Sequence, residues 1–215
     1  MSSSLRTVIS SDLEIERRGY GGRTPLLSAC LPRIPRHRFC YSHEERMTII
    51  HLEAAQALLD AGADAQVTDD QGRAPIHWIS STSTPLDDAH QDAFIRLLDK
   101  SGTLSGTRDN DGYTPLHLCL LARQDWAVRR LIEYGLSCLE VDRDGNGPLH
   151  LLAGSLVELG RASPAKELFE TFIRLGADIN GRNSRGETPL FVFLSTSCKS
   201  CDTGLLQYIT HCSVL

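Results

Sequence analysis

Gly112-Tyr113-Thr114-Pro115-Leu116-His117 is the stretch that decides the fold, because it returns along the chain. Gly22-Arg23-Thr24-Pro25-Leu26, Gly72-Arg73-Ala74-Pro75-Ile76, Gly145-Asn146-Gly147-Pro148-Leu149 and Gly186-Glu187-Thr188-Pro189-Leu190 repeat its pattern. In each, a glycine can take positive φ and a proline falls where a helix would begin, a position at which its missing N–H costs nothing. Thr24, Thr114 and Thr188 suit the helix N-cap just before it. Five such turns in 215 residues describe an array of similar units. An array builds an extended surface more readily than a catalytic pocket.

A second mark keeps step with the first. Gly62, Gly102, Gly135 and Gly176 each stand ten residues before the next turn glycine. A constant offset means a constant geometry from the end of one helix to the next turn. Apolar pairs such as Leu131-Ile132 and Phe172-Ile173 precede these glycines and fit the buried face of a helix that the glycine terminates. Asp69, Asp109, Asp142 and Asn183 lie three residues before each turn glycine, where a short polar side chain can accept nearby backbone amides. Between turn and terminator there is room for two short helices, in the third unit about 114–122 and 125–134. The proline-to-proline spacing varies while the terminator-to-turn spacing does not, so the extra length falls between the two helices of a unit.

Together these features closely resemble the ankyrin repeat family. The resemblance rests on the repeat length, the Thr114-Pro115-Leu116-His117 tetrad, and the Gly62-Ala63-Asp64 and Gly176-Ala177-Asp178 helix ends, and it covers about residues 13–215. It implies an all-α α-solenoid of about five stacked helix pairs with β-turn fingers. The repeats are expected near 13–62, 63–102, 103–135, 136–176 and 177–215, after a lead-in over 1–12. The units are degenerate. The fourth tetrad position is His77, His117 and His150 in the middle units, but Leu27 and Phe191 in the outer ones. The small pair of the first helix is kept as Ala29-Cys30 and is bulkier elsewhere. The glycine joining the two helices is replaced in the third unit by Arg123. Three insertions interrupt the pattern. That at 31–50 is rich in arginine, that at 80–88 in Ser and Thr, and that at 155–164 is expected to extend a first helix before a turn. The first reads as an exposed loop, either a tolerated insertion or a partner contact.

Composition narrows the function classes. The net charge of −5, with signs mixed along most of the chain, argues against a nucleic-acid footprint. The hydrophobic content of 41% is enough for a core. Neither a signal peptide nor a stretch long enough to cross a membrane is expected. Seven irregularly spaced cysteines fit reduced thiols in the cytoplasm or nucleus.

Chemistry-bearing residues are mostly absorbed by the repeat. His77, His117 and His150 recur with the units, too far apart to share a metal, and the resemblance gives them a hydrogen-bonding role in the loops. Asp142-Arg143-Asp144-Gly145-Asn146-Gly147 looks like the start of a calcium loop, but Ala153 stands where the bidentate Glu belongs. Cys198, Cys201, His211 and Cys212 have partial zinc-ligand character, weakened because adjacent helical residues diverge by about 100°. No enzyme motif, metal site or cofactor is therefore expected.

The resulting expectation is a non-catalytic protein–protein interaction module. Carried over by resemblance, the contact positions are Asp70, Gln71, Arg73 and Ser81; then Asn110, Asp111, Tyr113, Leu121 and Ala122; then Arg143, Asp144 and Asn146; and finally Ser184, Arg185 and Glu187. Tyr113 and Leu121 are the expected anchors. The alternative is a structural or regulatory portion of a larger protein, or self-association through the C-terminal repeat. Leu205-Leu206-Gln207-Tyr208-Ile209 motivates it, reading as a second helix without the usual terminating glycine.

Overall fold

The computed structural model describes residues 15–31, 51–82, 88–101, 107–155 and 162–196. The chain forms two compact units, Met1–Asn110 and Asp111–Leu215.

In the first unit a 3-10 turn, Tyr20–Gly22, leads into helix α1, Pro25–Cys30. Helices α2, Leu52–Asp60, α3, Pro75–Ser80, and α4, Asp88–Ser101, follow. Helix α1 packs on α2 and α3, and α4 packs on α2 and α3. In the second unit the helices are α5, Pro115–Leu121, α6, Asp125–Glu133, α7, Pro148–Ser155, α8, Ala162–Arg174, and α9, Pro189–Thr196. Helix α7 packs against α5, α8 and α9, and α5 packs against α6. No strand occurs among the described residues.

Helices of six to nine residues are too short to persist alone in water. Their stability comes from burial. Leu26, Leu27, Leu59, Ile76, Ile79, Phe94 and Leu97 fill the first unit's interior; Leu120, Leu131, Leu168, Phe169, Phe172 and Phe193 fill the second's. Each such side chain contributes about 1.5–3 kcal/mol.

The helix ends follow the sequence pattern. Thr24, Thr114 and Thr188 accept the amides of Leu27, His117 and Phe191 at 3.4, 3.4 and 3.3 Å. Gly62, Gly135 and Gly176 take positive φ after α2, α6 and α8. Variable length does lie between the helices of a unit, as the separations of α1 from α2 and of α5 from α6 show. Most of the first insertion, 32–50, lies outside the described residues, as do 83–87 of the second, 156–161 of the third, the expected helix terminator Gly102, and everything after Thr196. Helix α7 is described only as far as Ser155, so the expected extension falls outside that range.

Among the described residues no helix is long and apolar enough to cross a membrane.

Candidate functional site

The histidines are built into the turns. The backbone N–H groups of Ala74, Thr114 and Gly147 donate to Nδ1 of His77, His117 and His150, at 3.2, 3.0 and 3.2 Å. Each Nδ1 is thus an acceptor, which places the proton on Nε2. That nitrogen donates to a carbonyl of the following loop: Thr107 at 3.3 Å, Glu140 at 3.0 Å and Glu187 at 3.0 Å. The ring is a two-ended strut, closing its own helix and holding the next loop.

The acidic or amide residue three before the turn glycine is committed in the same way at Asp69, Asp142 and Asn183. Asp69 Oδ1 accepts the amides of Gln71 and Arg73, at 2.9 and 3.0 Å. Asp142 Oδ1 accepts those of Asp144 and Asn146, and Asn183 Oδ1 those of Arg185 and Glu187. The calcium-loop look of Asp142–Gly147 is explained by this turn, because the Asp142 carboxylate also accepts Asn146 Nδ2 at 3.0 Å. Among the described residues no group of three or more His, Cys, Asp or Glu side chains could hold a metal ion. Cys198, Cys201, His211 and Cys212 lie outside them. Burial pushes the Cys30 thiol up to about 12, so it is protonated at neutral pH and unsuited to nucleophilic work.

Successive fingers are joined through their backbones. The amide of Asp70 donates to Gly21 O at 3.1 Å and that of Asn110 to Gln71 O at 2.8 Å. In the second unit the amide of Ser184 donates to Asp144 O at 2.8 Å.

These bonds sort the expected contact residues. In the first unit, Asp70 and Gln71 leave their side chains exposed. Arg73 is pinned, its Nε 3.0 Å from Oδ2 of the buried Asp109 and its guanidinium 5.1 Å from the ring centre of Trp78. Arg23 covers the same ring at 5.4 Å, and the indole N–H donates to Asp69. Ser81 Oγ donates to Trp78 O, and Asn110 Nδ2 donates to Asp70 O. The most exposed aromatic among the described residues, Tyr20 at 94%, was absent from the expected contacts. No contact was carried over from the first repeat, and nothing in its turn pattern marks a protruding ring.

In the second unit Asp111, Arg143, Asp144, Ser184 and Arg185 are exposed. Tyr113 is half-buried edge-on against His117, with ring centres 6.3 Å apart. Asn146 Oδ1 accepts Asn183 Nδ2 at 2.9 Å. Glu187 accepts Asn183 Nδ2 and pairs with Arg185 at 3.1 Å. Leu121 is 45% exposed at the end of α5, with Ala122 half-buried beside it.

Leu121 opens onto a groove of about 300 Å³. Leu151 and Val192 line it with Leu121, and Arg123, Asn146 and Arg185 stand around them. The structure therefore brings together three expected contact residues, Leu121, Asn146 and Arg185. Tyr113 is not among the lining residues. Arg123, Leu151 and Val192 were missed. The signal for Arg123 was present, since it occupies a position where the pattern wants glycine. It holds φ at 58°, the only positive value at a non-glycine among the described residues. One of its N–H donors reaches Ser155 O at 3.0 Å. Beside it, burial holds the Asp125 carboxyl above its ordinary range, Arg123 and Arg129 pull it back down, and Glu167 raises it further.

Repeated turns, capped helix pairs and a histidine strut between successive repeats are the marks of one family. A family model of ankyrin repeats, in three copies, matches residues 48–143. These residues are ankyrin repeats. Over 140 residues the chain is 31% identical to neurogenic locus notch homolog protein 1 of Homo sapiens, taking in 65% of this chain and 5% of that protein. It is 36% identical over 101 residues to neurogenic locus notch homolog protein 2 of Homo sapiens, covering 47% of this chain and 4% of that one. The chain thus spans about one-twentieth of the length of these curated relatives. The all-α helix pairs and turn fingers belong to the ankyrin class. Ankyrin repeats are in general non-catalytic modules for binding other proteins, and the repeats at 48–143 place this chain with protein-interaction modules in general.

Proposed function

We propose that this chain recognises another protein by taking an extended segment of it into the Leu121 groove of the second unit, with the exposed finger residues flanking the contact. The observation that carries this reading is the groove itself. Apolar side chains form its floor, an exposed leucine stands at its mouth, and hydrogen-bonding groups surround them. A small apolar floor inside a polar rim is the composition of a binding hot spot. Exposed residues of the fingers, Asp111, Arg143, Asp144 and Ser184 in this unit and Asp70 and Gln71 in the other, can vary without disturbing the buried bonds that hold each turn. The test is affinity capture compared across variants. Tyr113→Ala with Leu121→Ala should lose proteins recovered by the unaltered chain, while the far-ultraviolet circular dichroism stays the same. Leu121→Ala alone should lose most of them, being the milder change. Unchanged capture by both overturns the reading.

A second reading, self-association near the C-terminal repeat, draws support from Phe191 and Leu194. They lie one turn apart on α9 and are 54% and 49% exposed. A concentration series by light scattering tests it, and a constant monomer mass counts against it.

A further inference from the structure

We propose that the Leu121 groove selects a partner segment in which a carboxylate side chain lies next to an apolar one, and that Arg123 reads the carboxylate. The inference rests on the reading of the groove as the partner's seat and adds the chemistry of the partner.

Three observations converge. The first is backbone cost. A non-glycine residue in the left-handed region costs about 1–2 kcal/mol, and Arg123 alone among the described residues accepts it. Strain of this kind clusters where a side chain has work beyond packing. The second is charge. Among the described residues the groove lining holds two guanidinium groups, Arg123 and Arg185, and no carboxylate. Arg185 is already paired with Glu187 at 3.1 Å. Arg123 feels the Asp125 carboxylate, which is not among the lining residues, and among the described residues its side chain is bonded only to the Ser155 carbonyl. The third is spare donor capacity. Asn146 and His150 also line the groove, but the Asn146 amide is spent on Asp142 and Asn183, and His150 Nε2 on Glu187 O. Arg123 gives one N–H to Ser155 O, and that bond fixes the guanidinium at the edge of the apolar floor. A pre-fixed planar fork beside Leu121, Leu151 and Val192 matches an Asp or Glu adjoining an aliphatic or aromatic residue.

The experiment is selection from a random-peptide phage library on the full chain, on Arg123→Gly and on Leu121→Ala. Glycine suits the local backbone, so Arg123→Gly removes the cation without unfolding the turn. The unaltered chain should enrich peptides with Asp or Glu beside an apolar residue. Arg123→Gly should keep the apolar preference and lose the acidic one. Synthetic peptides from the first selection should bind Arg123→Gly at least about tenfold more weakly. Their affinity for the unaltered chain should fall with added salt more steeply than for the variant. Acidic enrichment that survives Arg123→Gly, or apolar enrichment with no acidic residue, overturns this inference and leaves the groove reading standing. Peptides that Leu121→Ala selects equally well, or no enrichment at all, overturn the groove reading and this inference with it.

Discussion

Asn183 and Asn146 meet side chain to side chain, Nδ2 to Oδ1 at 2.9 Å, and the same Nδ2 donates to Glu187 Oε2 at 2.9 Å. The turns at Asp69, Asp109 and Asp142 carry a carboxylate where this one carries an amide. The exchange has a physical reason. Arg73 follows the second turn glycine and lies against Asp109, whereas Glu187 follows the fifth and would repel a carboxylate at 183.

Asn183→Asp should therefore destabilise the second unit by about 2 kcal/mol at neutral pH, since it removes a buried donor and sets two carboxylates face to face. The urea midpoint measures it. Adding Glu187→Gln should recover most of the loss by restoring a donor between the two side chains. A double variant no better than the single would show that the repulsion is not the cause.

His77 gives the fold a dependence on pH. Burial holds its imidazole below the ordinary value, and Arg73 adds to that effect. The Thr107 carbonyl, Asp109 and Asp69 oppose it without prevailing. With the folded pKa lowered, the unfolded chain binds more protons as pH falls through about 6.5, and stability declines below that point. The His77 contribution is present in full above the unfolded value. Denaturation at about pH 7.5 and about pH 5.5 should show the lower midpoint in acid, and His77→Gln should flatten the difference. An unchanged slope in His77→Gln would remove His77 as the source.

Two glycines separate backbone strain from crowding. Gly62 has φ of 94° and open space where a Cβ would stand. Gly72 has φ of 73°, and an added Cβ would lie 2.8 Å from Asn110 Oδ1 and 3.2 Å from Asn110 N. Gly62→Ala should cost about 1–2 kcal/mol from the backbone alone. Gly72→Ala should cost about 3 kcal/mol, because Asn110 is fixed by the finger-to-finger bonds and cannot give way. Equal losses in thermal or urea unfolding would contradict the crowding argument.

Arg123 permits a similar separation. Arg123→Gly relieves the left-handed backbone but gives up the bond to Ser155 O, two effects of about 1 kcal/mol that nearly cancel. Arg123→Ala keeps the strain and loses the bond, and should fall about 1 kcal/mol below the unaltered chain. The order of the two variants in a urea series is the measurement, and alanine at or above glycine would refute it.

The scaffold was legible because local chemistry and global fold agree in every unit. Gly135, Thr114, Pro115 and His117 each do in the structure what their residue types favour in isolation. The offset between Gly135 and Gly145 placed α6 and the next turn correctly because no loop variation enters that segment. The groove was less legible. Leu151 and Val192 read as ordinary helix residues, since an apolar side chain lining a groove has the same periodicity as one inside a core. Arg123 was visible as a departure from the pattern, but sequence alone does not say which way a residue at a helix junction faces. Asn110, Asn146 and Glu187 read as free surface residues, and only the geometry shows their side chains bonded within and between fingers.

The chain has two tryptophans, and they fall in different units. In the first, the guanidinium groups of Arg23 and Arg73 lie 5.4 and 5.1 Å from the ring centre of Trp78; in the second, that of Arg130 lies 5.5 Å from the ring centre of Trp126. Each unit thus contains its own intrinsic fluorophore in a cationic setting that is lost on unfolding. Emission from Trp78→Phe and Trp126→Phe variants would follow the units one at a time. Coincident transitions would make the array a single cooperative body, and separated ones would identify which half yields first.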